Sequence, residues 1–168
     1  AMHAAIDTGL VHTSNLFRTE PVVALAELLT DNSFADRVFF CNSGAEANEA
    51  AFKFARKYGR VHASAAKHEI VALRGAFHGR LFGALAATDR PSMQQPFEPL
   101  MPGVKFITPG DIAEAVAVIS AETTAAVIVE PIQGEGGVKP VPAQFLRSLR
   151  LLCDEADAAL IFDEIQVG

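Results

Sequence analysis

Four clusters of small, polar and charged residues carry the chemistry this sequence can offer, and each follows a short apolar run. The first is Cys41-Asn42-Ser43-Gly44-Ala45-Glu46-Ala47-Asn48-Glu49, which leads into an alanine-rich helical pattern. Gly44 and Ala45 have little or no side chain, so an anion can approach the backbone N–H groups of a first helical turn. The helix dipole favours negative charge there by about 0.3–1 kcal/mol. The same residues also read as an ordinary capping box, with Ser43 as the cap and Glu46 three positions on. The two readings are compatible. The second cluster, Gly75-Ala76-Phe77-His78-Gly79-Arg80, sets an aromatic ring and a cation between glycines. It can supply a stacking face and a carboxylate clamp. Its plainer reading is a turn with a buried Phe77, a solvated Arg80 and a structural His78.

The third cluster is Glu130-Pro131-Ile132-Gln133-Gly134-Glu135-Gly136-Gly137, a tight loop that brings two carboxylates near the sheet's edge. It is not a dinucleotide fingerprint, because Lys139 stands where the third glycine is needed, and no GxxxxGK[ST] loop occurs. The fourth is Phe162-Asp163-Glu164-Ile165-Gln166. A carboxylate at the end of a buried strand commonly binds a metal or pairs with a cationic ring nitrogen. The metal use, as in a Walker B aspartate, requires a phosphate loop of a kind this chain lacks. The ring-nitrogen use requires a phosphate pocket and a stacking residue, and the first two clusters offer both.

The elements between these clusters set the fold class. A helix is expected from Thr19-Glu20-Pro21 to about Leu29, with Pro21 in the first turn, where its missing N–H costs nothing. Arg37 to Cys41 reads as a strand. Ala45 to Tyr58 reads as a helix, with Ala47, Ala50, Ala51, Phe54, Ala55 and Tyr58 along one face and Gly59 as its cap. Glu69 to Arg74 is a strand, the stretch from Gly79 to about Ala87 a helix, and the proline-rich Arg90 to Pro102 a loop. Asp111 to Ser120 is a helix capped by Asp111 or Gly110. Thr124 to Val129 and Ala158 to Phe162 are strands apolar on both faces, and Pro142 to Ala156 is the helix between them. Such strands alternating with helices predict an α/β fold, with a mostly parallel sheet covered by helices on both faces.

Composition narrows the classes. The 168 residues suffice for one domain, and a net charge of -6 without a basic block argues against nucleic acid. No apolar run is long enough to span a bilayer. Half the residues are hydrophobic, slightly greasy for a free-standing domain, as if partner segments covered part of it. Cys41 and Cys153 stand alone in apolar surroundings and read as buried free thiols of a reducing compartment, with no metal-ligand spacing around them. The start, Ala1-Met2-His3-Ala4, shows no signal peptide. The end, Val167-Gly168, follows directly on an apolar strand and a polar cluster, which reads as a truncation.

Taken in order, five strings resemble the class III aminotransferases, and most closely their acetylornithine branch. They are HTSNLF (residues 12–17), FFCNSGAEANEAAFKFARKY (39–58), AFHGR (76–80), VEPIQGEGGV (129–138) and IFDEIQVG (161–168). The resemblance implies part of the large domain of a fold type I transferase dependent on pyridoxal 5'-phosphate (PLP). Residues 1–30 would be an N-terminal segment and helix, and residues 31–168 a partial PLP-binding domain. It implies that Ser43, Gly44 and Ala45 hold the coenzyme phosphate, that Phe77 stacks on the pyridine ring with His78 beside it, and that Asp163 pairs with the ring nitrogen. Gln166 would lie near the phenolic oxygen, Arg80 would bind a substrate carboxylate, and Glu135 would be an acidic gate for an arginine outside this chain.

The reaction implied is ping-pong transamination in a cytoplasmic homodimer, from N-acetylornithine to 2-oxoglutarate, giving N-acetylglutamate semialdehyde and glutamate in arginine biosynthesis. Ornithine, succinylornithine or 4-aminobutyrate are alternative donors, and a non-catalytic product is a further alternative. Lys53, Lys57, Lys67, Lys105 and Lys139 do not match the context of the family's coenzyme lysine. This chain alone is therefore expected to be inactive. Leu81 departs from the small polar residue common after HGR in that branch.

Overall fold

The computed structural model describes residues 2–8, 14 and 16–168, so His12, Thr13 and Asn15 of the first string lie outside the described residues. In chain order its helices are α1 (Met2–Asp7), α2 (Glu20–Asp31), α3 (Gly44–His62), α4 (Phe82–Ala86), α5 (Pro91–Gln94), α6 (Ile112–Val118) and α7 (Ala143–Glu155). Its strands are β1 (Glu69–Leu73), β2 (Val104–Ile107), β3 (Thr124–Val129), β4 (Ile132–Gln133), β5 (Lys139–Pro140) and β6 (Ala159–Phe162). Two units form, Ala1–Cys41 with α1 and α2, and Asn42–Gly168 with the rest. No described helix is long and apolar enough to cross a membrane.

Within the larger unit, β1 and β3 divide their side chains between two cores. Val71, Leu73, Val127 and Val129 enter one, and Ile70, Ala72, Ala126 and Ile128 enter the other. This is the period of two of a pleated strand, and with both faces apolar it demands cover on both sides. α6 and α7 cover the first face with Ala115, Phe145, Leu149 and Cys153, and α3 covers the second with Phe52 and Ala55. Burying a side chain the size of Phe52 or Leu149 stabilises by about 1.5–3 kcal/mol relative to leaving it exposed. The main sheet is parallel, as the apolar runs predicted, and its strands lie in the order β2-β1-β3-β6.

Several local expectations are corrected. Arg37 to Cys41 runs as irregular chain, because strand-like composition does not make a strand without a ladder. Cys41 is exposed, whereas Cys153 is buried and its thiol is pushed up to about 11, chiefly by that burial. β6 has both ends exposed because it lies at the sheet's edge among the described residues, with β3 on one side only. β2 went unread because it is short, half-buried and interrupted by Lys105. The proline-rich stretch contains α5 and a 3-10 turn at Gln95–Phe97, since a proline early in a turn gives up no hydrogen bond.

α3 also differs from its expected form. Its buried residues are Asn48, Phe52, Ala55 and Gly59, whereas Ala47, Phe54 and Tyr58 face outward. Alanine marks both faces of this helix, so the pattern could not be phased from its alanines. Gly59 is interior, not a cap, because a Cβ there would stand 2.8 Å from the Lys67 carbonyl oxygen. That close approach serves a buried cation. Lys67 is 1% exposed, and its Nζ donates to the carbonyls of Ala121 at 3.0 Å and Ala156 at 2.5 Å. Ala156 caps the C-terminus of α7, where positive charge is favoured. Lys67→Met should therefore lower the stability of the full-length protein by about 1–3 kcal/mol for each carbonyl left unpaired. Urea unfolding measures this, and an unchanged midpoint would show that the two bonds contribute nothing.

Candidate active site

The strand order sets the C-terminal ends of β1, β3 and β6 side by side. Open parallel sheets bind ligands at that edge, where the chain reverses its direction of winding. Here the reversal is at β1, which has β2 on one side and β3 on the other. Beyond these ends lies a pocket of about 190 Å³, lined by Gly44, Ala45 and Asn48 of α3, then Phe77, His78, Gly79, Glu130, Ile132, Asp163, Ile165, Gln166 and Val167.

Asp163 follows β6 directly and is 8% exposed. Its Oδ2 lies 2.8 Å from His78 Nδ1 and accepts from Asn48 Nδ2 at 2.8 Å, while Oδ1 accepts from the Ile165 N–H at 3.3 Å. Burial alone would raise the carboxyl's pKa. The hydrogen bonds from His78 and Asn48 and the nearness of the imidazole outweigh it, so Asp163 titrates below its ordinary value. A carboxylate held ionised at a pocket wall is suited to pairing with a cation. Asn48 is fixed in turn by donating to the His78 carbonyl at 2.8 Å. The buried His78 Nε2 has no hydrogen-bond partner among the described residues.

The start of α3 forms another part of the lining. Ser43 Oγ accepts the Glu46 N–H at 3.3 Å, and Glu46 Oε2 accepts the Asn42 N–H at 2.7 Å, a variant of the capping box. The first N–H groups of a helix have no acceptor within it, so Gly44 and Ala45 bring such donors to the pocket. Gly79 packs directly on this turn. Its φ is +123°, and a Cβ there would stand 2.7 Å from that of Ala45.

Polar side chains hold the Phe77 segment in place. Thr88 Oγ1 accepts the His78 N–H at 2.9 Å and reaches the Gly79 and Ala84 carbonyls at 3.1 and 3.0 Å. Glu49 accepts the N–H groups of Gly83 and Ala84 at the start of α4. Glu130, at the end of β3, accepts from Phe77 N–H at 2.8 Å and Gly134 N–H at 3.1 Å.

Of the residues singled out from sequence, Gly44, Ala45, Phe77, His78, Asp163 and Gln166 meet at this pocket. Ser43, Arg80 and Glu135 lie outside its lining and are exposed. The Arg80 guanidinium sits 5.9 Å from the Phe77 ring centroid. Sequence reasoning missed Asn48, although a polar residue one turn past Gly44 on a helix flank was a signal. It also missed Thr88, which looks like any helix-end threonine, and it saw Glu130 without assigning it a role.

The family model described as Aminotransferase class-III matches residues 1–168. Solved structures with the same fold include an aminotransferase of Bacillus anthracis, 28% identical with a TM-score of 0.88 over 96% of this chain and 41% of that one. The ornithine aminotransferase of Toxoplasma gondii is 28% identical with a TM-score of 0.88, over 99% of this chain and 40% of its own. A PLP-bound amine transaminase from an uncultivated Pseudomonas species is 28% identical with a TM-score of 0.85, over 99% of this chain and 44% of its own. The chain therefore spans about two fifths of the length of these structures.

Proposed function

Because the chain belongs to the class III aminotransferases, we propose that its pocket holds PLP and that the full-length protein moves an amino group from N-acetylornithine to 2-oxoglutarate. The observation that carries this reading is the ionised Asp163, braced by His78 and Asn48 in the same pocket as the N-terminus of α3. The residues present fit the coenzyme. An anion faces where a cationic ring nitrogen would lie, free helical N–H groups suit a phosphate, and Phe77 offers a ring face. Ser43, Gly44 and Ala45 are proposed to hold the phosphate, Phe77 and His78 to bracket the ring, and Gln166 to lie near its phenolic oxygen.

When bound, PLP supplies a carbonyl that takes the donor's nitrogen and a protonated ring that withdraws electrons. The protein's part is to keep that ring protonated through Asp163, to orient it through Phe77, and to exclude water from the pocket walls. Arg80, an exposed cation beside Phe77, is proposed to receive the donor's carboxylate, and Glu135 to act as an acidic gate. None of the five lysines lines the pocket, and Lys67 is committed to two carbonyls. The proton-moving lysine is proposed to lie on a later part of the large domain of the full-length protein, which is proposed to act as a homodimer.

The test is steady-state kinetics of the full-length, PLP-loaded protein with N-acetylornithine, ornithine, succinylornithine and 4-aminobutyrate, each against 2-oxoglutarate. The reading expects the highest kcat/KM for N-acetylornithine. A higher value for 4-aminobutyrate or ornithine would remove the donor assignment and leave transamination standing. No turnover with any donor would remove both.

A further inference from the structure

Two charged side chains each hold the same pair of loops, one through their N–H groups and the other through their carbonyls. One loop is Gly75-Ala76-Phe77, after β1. The other is Gly134-Glu135-Gly136, after β4. Glu130, 5% exposed, takes the N–H groups, with Oε1 on Phe77 at 2.8 Å and Oε2 on Gly134 at 3.1 Å. Arg90 takes the carbonyls, with Nη1 donating to Gly75 at 3.2 Å and Nη2 to Glu135 at 3.1 Å. The loops are also in close contact. A Cβ on Gly136 would stand 2.8 Å from the Gly75 carbonyl oxygen, and Gln133 Nε2 donates to the Arg74 carbonyl at 2.9 Å. Asp89, the neighbour of Arg90, accepts the Gly75 N–H at 2.8 Å.

We propose that Glu130 and Arg90 are positioning residues, a two-sided clamp that makes the Phe77 segment and the Glu135 loop move as one body. The clamp rests on the proposed function for its consequence, which is that a ligand felt at Glu135 is transmitted to the ring face that Phe77 offers. It does not rest on that function for its geometry. Each carboxylate oxygen of Glu130 serves one loop, so a carboxamide can satisfy only one of them and turns a donor toward the other. Charge-assisted bonds of this kind are about twice as strong as neutral ones. Neither loop has a regular ladder to the main sheet, so these contacts are what fix one against the other.

Hydrogen exchange followed by mass spectrometry on the full-length, coenzyme-free protein tests the geometry. In Glu130→Gln, peptides covering residues 75–80 and 132–138 should both exchange faster, by about tenfold or more, while a peptide from α7 stays unchanged. Arg90→Ala, at a half-buried residue outside the pocket, should loosen the same two segments if the first variant fails to fold. Loosening of one segment alone, or of neither, overturns the clamp. With PLP loaded, each variant should shift the coenzyme's absorption maximum and the KM for 2-oxoglutarate together. A change in KM with no change in absorption overturns the coupling. If wild type neither binds PLP nor turns over while both segments still loosen together, the clamp stands and the functional reading falls.

Discussion

Asp163→Asn in the full-length protein should retain measurable PLP binding and lose about 10²–10³-fold in kcat, the range typical when one preorganised electrostatic partner is removed. The substitution keeps the shape and exchanges an anion for a dipole. The anion is well defended. Its Oδ2 receives His78 Nδ1 and Asn48 Nδ2, both at 2.8 Å, and its backbone N–H donates to Val129 O at 2.9 Å, continuing the β3–β6 ladder into the site. Those donors hold the carboxyl's pKa down despite burial. Its contribution to stability is therefore present above the ordinary Asp value and is lost only as pH falls through the lower folded value. An amide at 163 cannot keep a pyridine nitrogen protonated near neutral pH. Near-normal kcat in this variant would remove the assigned pairing of Asp163 with the ring.

Gly79→Ala should cost more than ten times in PLP affinity, although it adds only one methyl group to the pocket lining. The residue has φ +123°, outside the region that L side chains readily adopt, and such strain costs about 1–3 kcal/mol. The new Cβ would also meet the Ala45 Cβ at 2.7 Å and the Ala84 Cβ at 3.2 Å. Backbone lies behind both contacts, so relief requires the first turn of α3, α4 or the His78–Gly79 segment itself to shift. The first turn of α3 and the His78–Gly79 segment line the pocket that would hold the phosphate and the ring. A fluorescence titration of the coenzyme-free protein with PLP measures the loss. An affinity within twofold of wild type would show that the pocket does not depend on this contact.

The sequence was most legible where a feature follows from local chemistry. Thr124 to Val129 is apolar after its first residue, and its length, its β-branched residues and the helical patterns beside it point to a strand buried on both faces. Ser43 and Glu46 announced the start of α3, and Asp111 or Gly110 the start of α6, where the cap is Asp111, because a cap is read within four residues. The site was legible in part for the same reason. Gly44, Ala45, Phe77, His78, Asp163 and Gln166 stand at element ends, and a parallel sheet gathers such ends at one edge.

What escaped depends on partners distant in the chain. Asn48 and Asp163 are 115 residues apart and Glu130 and Phe77 are 53 apart, so no local pattern marks either pair. Lys67 looks like a solvent-facing residue after a helix, yet its partners are the carbonyls of Ala121 and Ala156. Gly59 was misread because a glycine near the end of a helical pattern usually caps it. Here the position answers to a close approach by Lys67, which only the tertiary structure reveals.

The central claim is that Asp163 holds a protonated pyridine ring in this pocket. It is tested most directly by the 15N NMR shift of PLP labelled at its ring nitrogen and bound to the full-length protein. The account predicts a shift in the protonated-pyridine range at neutral pH, moving toward the neutral range in Asp163→Asn. A neutral nitrogen in the wild-type protein would contradict it.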